Sequence, residues 1–168
     1  RTARGVCLMR ISSQMKLFFP VASLVLALDV GIKQLMLSWL FFPPQQIIVT
    51  PFFSLTPVWN SGISFGLFSD NPYIGLVTIP VLAVLVVLWL IWQLNDLTFL
   101  QTLGASFIAG GALGNVSDRI LYGRVIDFLD FHFGALHWPA FNVADSALFI
   151  GVLLWFYGMM QPNQNETL

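Results

Sequence analysis

Four apolar runs, each close to or beyond the roughly 20 residues that carry a helix across a bilayer, dominate what this chain can fold into. They are Leu17–Leu40, Tyr73–Gln93, Leu97–Leu121 and Asn142–Met160. Only 9% of the residues are charged and 57% are hydrophobic, whereas a soluble domain covers its surface with about 25% charged residues. Water is not the only solvent for such a chain. The predicted fold is an all-α membrane protein with four transmembrane helices, one domain over residues 17–160. A cytoplasmic segment 1–16 precedes it and a cytoplasmic tail 161–168 follows. The chain opens on Arg1, and Met9 and Met15 are candidate starts, so residues 1–15 carry little weight. The first run follows Arg10 and Lys16 as a signal peptide would, but it is too long and lacks an A-x-A site, so it is read as retained.

Basic residues set the expected orientation. Arg1, Arg4, Arg10 and Lys16 precede the first span, Arg119 and Arg124 close the third, and Leu94–Asp96 and the tail carry none. Both termini are therefore expected inside, a balance that becomes two against two if the chain starts at Met9. This orientation gathers the polar groups in one layer near the outer interface. Asp29 and Lys33 fall in the outer half of span one, Asn115, Asp118 and Arg119 end span three, and Asn142 and Asp145 begin span four. Asp127 and Asp130 lie in the connecting stretch Leu121–Phe141. Ionisable groups in a span are costly and mark function by default. Ser106, Gly110, Gly114 and Asp118 follow at four-residue steps, a ridge of small residues that lets helices approach closely and leads into the polar layer.

Between spans one and two, Pro43, Pro44, Pro51 and Pro57 punctuate short β-prone runs. With Phe41, Phe42, Phe52, Phe53, Trp59, Phe65 and Phe68, residues 41–70 read as a β-rich extracytoplasmic platform at headgroup level, or as an ordinary apolar loop.

Several functions are excluded. A net charge of −1 without a basic stripe argues against nucleic acid. The lone Cys7 makes neither a disulfide within the chain nor a cysteine metal site, and with His132 and His137 the only histidines any metal reading is weakened. No H-E-x-x-H or G-x-S-x-G is present; Ser106 lacks the glycine that would follow a nucleophile.

Asp127 and Asp145, 18 positions apart, are the candidates for chemistry. Two adjacent carboxylates share a proton, so the ionised one can activate water while the protonated one stabilises an oxyanion. Structural accounts stand beside this. Asn142 and Asp145 have capping-box spacing, Asp127 and Asp130 could be solvated acids, and Asp29–Lys33 and Asp118–Arg119 could be structural ion pairs. A carboxylate relay for ion transport is a rival function, though it would place polar groups through the full membrane depth, and the inner halves of the spans are nearly bare. A non-enzymatic membrane assembly factor is another.

Five segments in order decide among these. Asp29-Val-Gly-Ile-Lys33, Asn60-Ser-Gly62-Ile-Ser-Phe65-Gly66, Gly114-Asn115-Val-Ser-Asp118-Arg119, Val125-Ile-Asp127-Phe128 and Phe141-Asn142-Val-Ala144-Asp145 together resemble the motifs of signal peptidase II, the bacterial prolipoprotein signal peptidase. Val30 stands where the family usually has Gln. The resemblance covers residues 17–160. It implies a globomycin-sensitive aspartic endopeptidase of the bacterial inner membrane that cuts diacylglyceryl-modified prolipoproteins just before the modified cysteine. It implies Asp127 and Asp145 as the catalytic dyad, and Asn60, Gly62, Asn115, Arg119 and Asn142 as substrate-binding or dyad-supporting residues. Asp29, Lys33 and Asp118 become polar support. Expected partners are lipid-modified precursors and membrane lipids, with the enzyme a monomer.

Overall fold

A computed structural model describes residues 12–62 and 73–161. The expected N-terminal residues 1–11, Phe65, Gly66 and Phe68 of the outer segment, and residues 162–168 of the tail lie outside these described residues.

Local signals set the helix limits. Helix α1 (Ser13–Leu40) starts where the Ser12 hydroxyl accepts the Met15 N–H, four residues before the expected span. A π-helical turn, Ile74–Thr78, leads into α2 (Ile79–Gln93), and a 3₁₀ turn, Leu94–Asp96, follows it. Helix α3 (Phe99–Tyr122) opens on a reciprocal cap between Thr98 and Gln101 and ends at Gly123, whose φ of 72° a side chain would strain. Helix α4 (Val143–Met160) completes the set.

Helix α3 is the hub, packed against α1, α2 and α4. Its glycines explain how. A Cβ on Gly110 would stand 2.7 Å from the Ala22 carbonyl oxygen, and one on Gly114 would collide with the Asp29 carboxylate. The expected small-residue ridge is thus the surface on which α1 meets α3. A second close approach was not anticipated: Gly104 of α3 and Gly151 of α4 face each other, each Cβ position 2.6–2.7 Å from the other's carbonyl oxygen. Backbone contact of this kind substitutes for hydrophobic association where lipid is the solvent.

Helix α1, the stretch Gly75–Asp96 and α4 are each long and apolar enough to cross a membrane. Their outward residues are apolar, with Leu24, Leu85, Trp92 and Phe156 exposed. Helix α3 has the length, 24 residues, but is rich in Gly, Ala and Ser. Its neighbours cover it, so it presents little surface that needs to be apolar.

The remaining polar backbone is satisfied by a four-stranded antiparallel sheet in the order β1 (Ile47–Thr50), β2 (Phe53–Asn60), β3 (Val125–Phe133) and β4 (Leu136–His137). The expected β-rich platform supplies β1 and β2, and the sheet extends beyond it. Two of its strands come from the segment between α3 and α4, whose expected loop Leu121–Phe141 is mostly strand. In the β2–β3 register Val58 lies opposite Asp127 and Asn60 opposite Val125. Met36, Leu37, Leu40 and Phe41 at the end of α1 pack with Ile126 and Phe128, which seats the sheet on the helical bundle.

The helix contacts are testable. Gly151→Ala places a methyl against backbone and should cost about 1–3 kcal/mol. Gly31→Ala, where the added Cβ meets nothing within 4 Å, should be neutral or stabilise by up to about 1 kcal/mol. Thermal unfolding in detergent micelles separates the two.

Candidate active site

Strand β3 places Asp127 under the sheet, and only 1% of it is exposed. The first turn of α4 brings Asp145 to the same place. Three asparagines join them. Asn142 donates from Nδ2 to Asp127 Oδ1 at 2.7 Å, and Asn60 donates to Asp127 Oδ2 at 2.8 Å. Asn115 donates to Asp145 Oδ1 at 2.8 Å. Asn142 also reaches Asn115 Oδ1 at 3.1 Å, which makes the two carboxylates ends of one amide chain.

Each amide has its orientation settled by a group that can only donate. The Asn60 carbonyl accepts the Gly62 N–H at 3.0 Å. The Asn142 carbonyl accepts the Asp145 N–H at 2.9 Å. The Asn115 carbonyl accepts from the Lys33 ammonium at 3.0 Å. In every case the amide NH₂ is thereby turned to a carboxylate.

The capping account of Asp145 also holds, together with its place in the site. Its Oδ2 accepts the Asn142 N–H at 3.2 Å while Asn142 caps the Asp145 N–H. The cap uses one carboxylate oxygen and leaves the other for Asn115.

Beneath this layer Lys33 is wholly buried, with its ammonium 2.8 Å from Asp29 Oδ2 and 2.8 Å from Asp118 Oδ2. Both acids also anchor backbone: Asp29 accepts the Ala144 N–H at 2.8 Å and Asp118 the Ile126 N–H at 3.1 Å. Asp118 therefore pairs with Lys33, and not with the adjacent Arg119. The Arg119 guanidinium instead donates to the carbonyls of Gly62 at 3.1 Å and Asn115 at 3.2 Å, within electrostatic reach of Asp127 and Asp145. Asp130, which could have been solvated, is buried and accepts from Thr56 at 2.9 Å, with His137 Nδ1 at 2.9 Å. The strand pairing creates that cluster, and no spacing in the sequence announced it.

A cavity of about 350 Å³ opens onto Asp145 and onto Asn60, the amide that donates to Asp127. Asn60, Gly62, Arg119 and Asp145 line its polar end, and Ala83, Val86, Ile108 and Leu148 its apolar part. Burial and the neighbouring Asp145 charge push the Asp127 carboxyl up to about 7, partly offset by the Asn60 and Asn142 amides and by Lys33.

Residues 21–161 match the family described as signal peptidase (SPase) II. The chain belongs to the signal peptidase II family. It is 40% identical over 141 residues to the lipoprotein signal peptidase of Francisella tularensis subsp. novicida, covering 82% of this chain and 87% of that protein. It is 38% identical over 164 residues to the one of Pelodictyon phaeoclathratiforme, covering 91% and 96%. It also superposes on a solved structure described as a bacterial membrane enzyme determined by the in meso method at 2.3 Å resolution. That match has a TM-score of 0.72 and 25% identity, over 88% of this chain and 90% of the other. Signal peptidase II is an aspartic peptidase family, and this member is an enzyme embedded in a bacterial membrane.

The buried groups predict two outcomes. Lys33→Met leaves Asp29 and Asp118 unpaired and should cost about 3–5 kcal/mol, seen as a loss of the folded fraction in micelles. Asp127 binds its proton more tightly folded, with a pKa of about 7 against an ordinary 3.8, so its contribution favours the fold at low pH and is lost as pH rises from about 4 to 7. Melting measured across that window should show Asp127→Asn gaining on the wild type as pH rises, by up to about 4 kcal/mol.

Proposed function

We propose that Asp127 and Asp145 are the catalytic dyad with which this enzyme removes signal peptides from diacylglyceryl-modified prolipoproteins, cutting just before the lipid-modified cysteine. The observation that carries the assignment is the amide chain Asn60–Asp127–Asn142–Asn115–Asp145, which ties the buried Asp127 to Asp145 in the cavity wall. The pair shares one proton. Asp127, screened from water and holding its proton to about pH 7, hydrogen-bonds the scissile carbonyl and stabilises the developing oxyanion. Asp145 is partly exposed at the cavity and takes the proton of the attacking water. Asn60, Gly62 and Arg119 hold the extended substrate backbone beside the pair. Lys33, Asp29 and Asp118 support the amides without touching substrate. The reaction needs no metal or organic cofactor.

The domain of residues 17–160 crosses the inner membrane four times, with α3 as the covered span, both termini cytoplasmic and the sheet on the outer surface. Residues 41–70 give half of that platform. The precursor, anchored by its lipid, is confined to this same outer layer, where the aromatic residues of the sheet meet headgroups. The enzyme acts as a monomer, with Asn60, Asn115, Asp127, Asn142 and Asp145 on one chain.

Processing of a diacylglyceryl-modified precursor in bilayers tests the assignment. Asp127→Asn and Asp145→Asn should each lower kcat by at least about a thousandfold while the protein stays folded in the membrane. Normal processing by either variant would remove that residue from the dyad. Wild-type kcat/KM should fall roughly tenfold per pH unit above about 7, where Asp127 loses its proton.

A further inference from the structure

We propose that the diacylglyceryl chains of the substrate lie in a second cavity, which meets the peptide cavity at Asp145, an inference that rests on the dyad assignment above. This cavity has a volume of about 460 Å³ and is lined by Trp138, Phe141, Ser146, Phe149 and Ile150 together with Asp145. Asp145 therefore borders both cavities. Helical geometry explains the double exposure. Leu148, three residues on from Asp145, and Phe149, four residues on, flank the carboxylate on one broad face of the helix, Leu148 toward the first cavity and Phe149 toward the second. The first turns of α4 form a partition with the carboxylate on its crest.

The chemistry of the two walls divides the substrate. The first cavity offers the Asn60 and Arg119 side chains and the Gly62 backbone, the groups an extended peptide needs. The second shares the Asp145 carboxylate, but its Ser146 hydroxyl is already committed to the Asn142 backbone carbonyl at 2.9 Å, and the Trp138, Phe141, Phe149 and Ile150 side chains form its aromatic and aliphatic wall. An acyl chain asks for no hydrogen bonds and gains from each buried methylene. The cavity also opens onto the outward face of α4, where Phe149 and Ile150 are exposed, so a chain seated there runs on into the surrounding lipid. The glyceryl group is bonded to the cysteine next to the cut bond, so its chains must leave beside the dyad. This cavity starts there.

The test is photo-crosslinking with a diacylglyceryl-modified precursor peptide that carries a diazirine in one acyl chain, bound to the Asp145→Asn variant in phospholipid nanodiscs. Adducts on Phe149, Ile150 or Trp138 are expected. Adducts on Ala83, Val86 or Ile108, or none on the protein, overturn the proposal. A second measurement uses Ile150→Trp, which fills the cavity from an exposed position. Its KM should rise about tenfold for long-chain substrate, equivalent to losing about two buried methylenes, and stay unchanged for a dibutyryl analogue. An equal effect on both substrates overturns the seating. Failure of the dyad variants to block processing overturns the catalytic assignment instead, so the two failures are distinguishable.

Discussion

The structure depends on one buried ammonium. Lys33 is wholly buried, and its ammonium donates to Asp29, Asp118 and Asn115. A bare charge at this depth is untenable, and each acceptor belongs to a different part of the fold or ties one down. Asp29 holds the start of α4 through Ala144, Asp118 holds the start of β3 through Ile126, and Asn115 holds Asp145. Three helices and the sheet are thus indexed to one atom. The carboxylates take their positions from that index, and their own mutual repulsion is resisted by the scaffold instead of being relieved by movement.

The small residues of α3 are the geometric counterpart. Lys33 reaches Asn115 and Asp118 because Gly110 and Gly114 let α1 approach to backbone contact. Larger residues would separate the helices and strand the ammonium. Packing and electrostatics therefore select the same spacing, four residues, for different reasons.

Much of this was legible from order and spacing. The Asp29–Lys33 pair and the ridge of small residues follow from helical periodicity, and the gathering of Asn115, Asn142 and Asp145 at one layer follows once the spans are drawn. The capping spacing of Asn142 and Asp145 was legible too, but spacing cannot say that cap and site coincide, because that rests on which carboxylate oxygen faces Asn115. The pairing of Asp118 with Lys33 was hidden since adjacency in sequence favoured Arg119, whereas on a helix adjacent side chains point apart. The second half of the sheet was hidden for another reason. Val125–Phe133 is apolar on both faces around its acids, so it lacks the alternation that marks a strand, and its partner β2 lies some seventy residues earlier.

The reciprocal cap at Asn142 and Asp145 has a consequence for how the enzyme comes into being. A ribosome delivers Lys33 first, then Asn60, Asn115 and Asp127, and the segment 142–145 after all of them. That last short segment brings the second carboxylate, the amide that links it to the first, and the helix start that aims it. Until it is made, Asp127 has the Asn60 amide but neither the Asn142 amide nor the second carboxylate. The polar cluster therefore closes only when these four residues arrive, late in the chain.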